Sequence, residues 1–226
     1  MSKRHRLNQL LKNPRIWRAG QRDAVYSRPT VSTGYPDLDR ALSGGWPLGV
    51  LTELLVDLYG IGEFRLLIPV LNALSRGTKK SMALIAPPYI PYAPAFVRRG
   101  VDISRLLVVN CHRRIDVLWA TEQALRSGTC AAVLVWSDGS DERLLRRLQL
   151  AAEEGAAGER SANKRGPGNG ACWAVLFRPL RFRRQRSPAA LRIALQPGRS
   201  SGISLNIFKN RGGQPQKLEI SLPEHS

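Results

Sequence analysis

The chain has 226 residues, 43% of them hydrophobic, which is enough for one α/β core and too few for two separate cores. Its 35 Lys and Arg residues against 17 Asp and Glu give a formal net charge of +18. This excess indicates a polyanionic partner or an acidic protein surface and argues against a small-molecule enzyme. Because no window approaches the roughly 18–20 apolar residues of a membrane helix, we expect no membrane contact and a cytoplasmic, nucleoid-associated protein.

Residues 1–30 are predicted to form a basic N-terminal arm. Its apolar residues are spaced partly as in an amphipathic helix, and Pro14 interrupts the pattern. Two interpretations stay open for this arm. It either docks on a partner protein or is a solvated basic tail that binds phosphates without specificity.

Residues 31–222 carry the pattern of a single core, and residues 223–226 are a short tail. Apolar or alternating runs predict strands at 81–86, 106–109, 131–137, 171–179, 190–195, 202–211 and 217–222. Helical patterns occupy 115–128 and 141–154. Strands that alternate with helices predict an α/β fold with a mainly parallel central sheet, and the turn signals between the last strands predict a C-terminal antiparallel hairpin.

Two segments of the core are predicted to be loops. Residues 156–170 are rich in Gly, Ser and basic side chains and indicate a flexible surface loop. Residues 180–188 form an arginine-rich loop, in which we expect the DNA-binding residues Arg181, Phe182, Arg183, Arg184 and Arg186. Guanidinium groups pair with phosphates, and an aromatic ring stacks on the bases of a single strand. A protein-binding epitope and a solvated charge run are the alternatives for this loop.

The segment 51–64 lies where a phosphate-binding loop would follow a first core strand. A P-loop, G-x-x-x-x-G-K-[ST], turns its backbone N–H groups toward the phosphates and adds a lysine and a hydroxyl that holds Mg²⁺. Only Gly62 matches that pattern. Asp57 replaces the first glycine, Glu63 the lysine and Phe64 the Ser or Thr. The site offers two carboxylates and a phenyl ring to a polyanion, so we expect it not to bind nucleotide.

The surrounding residues resemble the core of RecA proteins. The S-T-G and L-D motifs of residues 32–39, the G-V-D-I at 100–103 and the E-Q-A-L at 122–125 carry this resemblance. It implies a RecA-like P-loop NTPase core with degenerate Walker motifs. Trp136 then stands at the Walker B aspartate and Pro88 at the glutamate that polarises the attacking water. We therefore expect no catalytic residues, no cofactor and no metal, with Phe64, Trp136 and the Pro87–Pro88 pair filling the vacated space.

The segment 57–67, of the form D-x-x-G-I-G-E-x-R-L-L, is similar to the ImuA family, which was earlier labelled SulA-like. This resemblance implies a non-catalytic accessory protein of SOS-induced mutagenic translesion DNA synthesis. It also implies an ImuB-type partner, a catalytically dead Y-family polymerase homologue, and an indirect link to an error-prone DnaE-type polymerase, with RecA as a further candidate partner. The alternatives are an SOS cell-division inhibitor and a divergent RecA-type DNA-dependent ATPase.

The three cysteines, Cys111, Cys130 and Cys172, are widely spaced. Two of them fall in or beside predicted core strands, so we expect buried free thiols. Cys111 and His112 resemble half of a zinc pair, but no second pair follows at ligand spacing, and the sequence therefore predicts no metal site.

Overall fold

The computed structural model describes residues 29–139, 141–161, 170–199 and 201–222. Almost all of the predicted N-terminal arm, residues 162–169 of the predicted flexible loop and the tail at 223–226 lie outside these ranges. The five helices of the described residues are α1 Pro36–Ala41, α2 Glu63–Gly77, α3 Ala93–Arg98, α4 Arg114–Arg126 and α5 Glu142–Ser161. Two 3-10 helices cover Ile103–Arg105 and Leu180–Arg184. The strands are β1 Thr30–Val31, β2 Trp46–Pro47, β3 Leu51–Val56, β4 Ser81–Ile85, β5 Leu106–Val109, β6 Cys130–Trp136, β7 Trp173–Pro179, β8 Leu191–Pro197, β9 Ile203–Asn210 and β10 Gln216–Ile220.

Eight strands form one mixed sheet in the order β10-β9-β8-β3-β7-β6-β4-β5, while β1 and β2 pair separately. The six adjacent strands β8, β3, β7, β6, β4 and β5 all pair in parallel. The pairings of β8 with β9 and of β9 with β10 are antiparallel. The predicted α/β class, the mainly parallel sheet and the C-terminal antiparallel hairpin are therefore confirmed.

The central strands are buried on both faces, which explains their continuous apolar sequences. All six residues of β3 and all seven of β6 are buried. On one face, β3 packs through Leu54 and Val56 against the apolar stripe of α2. On the other face, Leu51 joins a second core with side chains from α4 and α5.

The prediction of a flexible loop at 156–170 is wrong for its first six residues, because α5 continues to Ser161. Gly155 does not end the helix. A Cβ at this position would lie 2.2 Å from the carbonyl oxygen of Leu125 at the end of α4, so the glycine permits close packing of the two helices. One residue later, Ala156 is buried in the core. Tertiary packing therefore carries the helix through a Gly- and Ala-rich segment.

The parallel topology brings the loops after β3, β6 and β7 to one edge of the sheet. In open α/β sheets, ligands bind at this carboxyl edge. The loop at 57–62 joins β3 to α2, Trp136 ends β6, and Pro179 ends β7 just before the arginine-rich loop. Both sites predicted from the sequence therefore lie along the same edge.

Candidate functional site

The loop at 57–62 lies between a strand and a helix, as a P-loop does, and the carboxylate of the residue that follows it turns back onto the loop. Glu63, the first residue of α2, is buried, and both of its carboxylate oxygens accept a hydrogen bond from the N–H of Gly60 at 3.0 Å. Gly60 and Gly62 have φ angles of 87° and 101°, in the left-handed region that glycine adopts without strain. A backbone N–H that a phosphate would use is therefore already bonded to an internal anion.

The C-terminal end of the described chain covers the same loop. Leu222 is buried, and a Cβ at Gly62 would lie 2.5 Å from its Cδ1 atom. The Arg65 guanidinium donates to the backbone oxygen of Leu222 at 3.0 Å. Gly62, the one residue that matches the P-loop pattern, thus makes room for an apolar side chain of the same protein.

Aromatic rings occupy the space beside this loop. Trp136 is 6% exposed and stacks on Phe177 of β7, with 4.7 Å between ring centroids and 4° between planes. Its ring also stacks on half-buried Phe64 at 5.6 Å, and Phe64 meets the edge of Phe96 at 5.7 Å. These four rings form an aromatic stack across the ends of β6 and β7. The sequence suggested Phe64 and Trp136 but not Phe96 and Phe177, whose apolar neighbours gave no distinguishing signal.

The prediction that the Pro87–Pro88 pair also fills this space is wrong for Pro88, which is exposed. The chain leaves β4 through Ala86, whose φ is 52°; Pro87 is half-buried, and Tyr89 and Ile90 after Pro88 are exposed. Phe96 of α3 packs against the stack instead. Asp57 is exposed as well, so of the two carboxylates predicted to oppose a phosphate, only that of Glu63 is buried against the loop.

The arginine-rich loop begins as a 3-10 helix and presents four arginines to solvent. Arg181, Arg183, Arg184 and Arg186 are exposed, and Phe182 is half-buried. The Phe182 ring does not stand free, because the guanidinium carbons of Arg178 and Arg181 lie 4.5 and 4.8 Å from its centroid. A planar guanidinium that is held over a ring can itself stack on a nucleobase.

Three charged residues that sequence reasoning missed lie beneath this loop. Glu53 of β3 is fully buried, and Arg192 of β8 donates to its carboxylate at 2.9 Å. Fully buried Arg178 approaches the same oxygen at 3.4 Å, and the Ser187 hydroxyl donates to the other oxygen. A carboxylate within the apolar run 51–56 was the available signal, but its partners are 125 and 139 residues away in the sequence.

The charges around Glu53 do not cancel. Burial lowers the pKa of Arg178 although Glu53 opposes this change, and burial together with the charges of Arg211 and Arg192 lowers the pKa of Lys209. Lys209 donates its ammonium to the carbonyl oxygen of Ser187 at 2.6 Å. Several cations surround one carboxylate, so the local field favours a bound anion.

Of the three cysteines, Cys130 and Cys172 are buried and Cys111 is half-buried, and all three are free thiols. Burial raises the pKa of the Cys172 thiol, and the neighbouring Cys130 adds to the effect. A high pKa keeps a thiol protonated and poorly reactive.

A scan against protein-family models gives no match for this chain, and a search of curated proteins gives none either. Among the described residues, no helix combines the length and the apolar composition of a membrane-spanning segment.

Proposed function

We propose that this chain is a non-catalytic accessory protein of SOS-induced mutagenic translesion DNA synthesis, built on a RecA-like core with degenerate Walker motifs. The observation that carries the proposal is the occupied loop at 57–62. Nucleotide would have to displace the buried Glu63 carboxylate from the N–H of Gly60, or bind beside that carboxylate. Like charges in a partly desolvated site repel strongly, and no lysine is present at the P-loop position.

The surroundings of the loop also support a pseudo-enzyme. A P-loop ATPase places Mg²⁺ between the phosphate loop and an aspartate at the end of another strand of the core sheet. Here Trp136 ends β6 and stacks on Phe64 and Phe177. The Trp136 ring therefore lies where such an aspartate would stand, and its packing against two other rings supports a site without Mg²⁺.

Single-stranded DNA is the partner that best fits the arginine-rich loop. Its four exposed arginines belong to a chain whose formal net charge is +18. Arg181 lies over Phe182 and Arg183 lies over Phe208, 4.8 and 5.4 Å from the ring centroids. Phosphate pairing combined with flat stacking groups suits a single strand, whose bases are accessible, better than a duplex.

The protein partners rest on the resemblance of residues 57–67 to the ImuA family. In this proposal the chain binds an ImuB-type polymerase homologue, reaches the error-prone DnaE-type polymerase through it, and has RecA as a further candidate partner. Pull-downs with an ImuB-type protein and with RecA, repeated after nuclease treatment, test these contacts. Failure to capture either partner, together with filamentation on overexpression and unchanged lesion bypass, would favour a cell-division inhibitor.

The DNA contact is tested by the fluorescence anisotropy of labelled oligo(dT) over a range of salt concentrations. Replacing the four loop arginines by alanine should weaken binding and flatten the salt dependence of log K by roughly 0.7 for each phosphate that the loop no longer neutralises. The matched control removes four exposed cations elsewhere, namely Arg40, Lys79, Arg98 and Arg146. Equal decreases in affinity for the two variants would mean that only net charge matters and would refute a site at this loop.

A further inference from the structure

Glu53 is a carboxylate in the middle of the central strand β3, with no exposed surface. Burying a charge is unfavourable unless it is paired and hydrogen-bonded. Each carboxylate oxygen of Glu53 has partners: Arg192 and Arg178 on one, and Ser187 on the other. All three partners belong to β7, to β8 or to the loop between them, which is the segment that contains the arginine-rich loop.

Arg192 uses its remaining donors on the backbone of that loop. Its terminal nitrogens donate to the carbonyl oxygens of Phe182 at 3.0 Å, Gln185 at 2.9 Å and Arg183 at 3.4 Å. Its side chain is only 6% exposed. Arg192 therefore links three carbonyl groups of the loop to the Glu53 carboxylate beneath them.

Arg178 holds the loop from the other side. One of its nitrogens donates to the Gln185 side-chain oxygen at 2.6 Å and to the carbonyl oxygen of Gly139 at 2.8 Å. Its guanidinium also lies against the Phe182 ring. The turn after β6 and the loop after β7 are thus tied to one side chain, and that side chain is oriented by Glu53.

Stability alone does not explain a charged residue at this position. Replacing a buried ion pair by apolar residues of similar volume is often neutral or stabilising. A leucine at position 53 would complete an apolar strand with Leu51 and Leu55 on the same face. What the carboxylate adds is directionality, because only an acceptor can fix the planes of two guanidinium groups.

We propose that Glu53 is a positioning residue of the DNA site. Through Arg178 and Arg192 it fixes the backbone of the arginine-rich loop. The exposed arginines are then already ordered when a single strand of DNA binds. This inference rests on the DNA-binding function proposed above. Preorganisation raises affinity by removing the entropy cost of ordering long side chains at the moment of binding.

The decisive variant is Arg192→Lys, which keeps the charge of the chain but cannot reproduce the forked contacts to Glu53 and the loop carbonyls. The matched control is Arg147→Lys. Arg147 makes a two-point contact, at 3.2 and 2.5 Å, to the buried carboxylate of Glu122, between α4 and α5. Both variants should lower the thermal midpoint. Only Arg192→Lys should weaken oligo(dT) binding, by about tenfold, since two or three side chains would then be ordered during binding.

Ser187→Ala, a milder change in the same cluster, covers the case in which Arg192→Lys does not fold, and it should weaken binding in the same direction. In the background of the four loop alanines, neither cluster variant should weaken DNA binding further, because a positioning residue acts through the side chains it positions. Equal affinities of Arg192→Lys and Arg147→Lys, or additive effects in the alanine background, would overturn the positioning role. If the four alanines themselves leave binding unchanged, the proposed function fails first, and the positioning role fails with it.

Discussion

Trp136→Ala is the sharpest test of the filled pocket, by which we mean the loop at 57–62 together with the aromatic stack of Phe64, Phe96, Trp136 and Phe177 beside it. The Trp136 side chain is only 6% exposed, and its ring stacks on Phe177 and on Phe64, with 4.7 and 5.6 Å between ring centroids. Truncating a buried aromatic to alanine costs about 3–5 kcal/mol, of which each ring pair that is removed accounts for roughly 0.5–1.5. No hydrogen bond is broken, because the indole N–H has no partner among the described residues. We expect a decrease of about 4 kcal/mol in the free energy of unfolding.

Equilibrium unfolding in guanidinium chloride, monitored by circular dichroism, measures this decrease. Trp119→Ala is the matched control, since Trp119 is 64% exposed and its removal should change stability by no more than about 0.5 kcal/mol. Trp136→Phe should cost less than Trp136→Ala, because it keeps a ring in the stack and removes an unpaired N–H. Trp136→Asp should be the most destabilising variant, because it places a carboxylate among the rings. If Trp136→Ala destabilises the protein by less than about 1 kcal/mol, the ring does not fill the space beside the loop at 57–62, and the proposal that aromatic rings occupy a degenerate nucleotide site is wrong.

Three further predictions concern nucleotide, acid and helix packing. Calorimetric titration with Mg-ATP should give no heat of binding, either for the parent or for Glu63→Lys, and ATP should leave the affinity for oligo(dT) unchanged. A micromolar dissociation constant for ATP would contradict this and favour a divergent ATPase. Burial raises the pKa of Asp39, but hydrogen bonds from Ser32 and Thr33 outweigh this effect and hold the pKa below its ordinary value. The ionised carboxylate therefore contributes its full stability above the unfolded pKa of about 3.9, and this contribution is lost as the pH falls through the folded pKa. Below about pH 4 the unfolding midpoint of the parent should therefore fall more steeply than that of Asp39→Asn, and parallel curves would contradict this. Gly155→Ala should cost about 1–3 kcal/mol on urea unfolding, because its Cβ meets the α4 backbone, and an unchanged midpoint would show that the helices can separate freely.

The sheet could be predicted because its strands have one-dimensional signatures. Buried parallel strands such as β6 are continuous apolar runs, and β9 alternates buried and half-buried residues as a strand with one covered face does. The end of α5 could not be predicted in this way. A glycine such as Gly155 often ends a helix, so the sequence favours a stop there. Only the close approach of the α4 backbone shows that this glycine instead allows two helices to pack.

The candidate site was less predictable because its chemistry depends on pairs distant in sequence. The departure of Glu63 and Phe64 from the P-loop pattern is visible in the residues themselves. That the Glu63 carboxylate turns back onto the N–H of Gly60 is a property of the folded loop. Similarly, Arg178 and Arg192 are hard to distinguish in sequence from the exposed arginines between them, and only their contacts to Glu53 separate the side chains that hold the loop from those offered to solvent.

The filled pocket and the anchored loop are connected through β3. This strand carries Glu53 at its centre and leads directly into the loop that Glu63 and Leu222 close. In an NTPase, the presence or loss of the terminal phosphate reorders such loops and gives the sheet edge two states. Here the Glu63 carboxylate and the aromatic stack belong to the chain itself, so this edge needs no bound ligand to fill it. On the proposed function, the arginine-rich loop, which is tied to the same strand through Glu53, binds DNA without a nucleotide cycle.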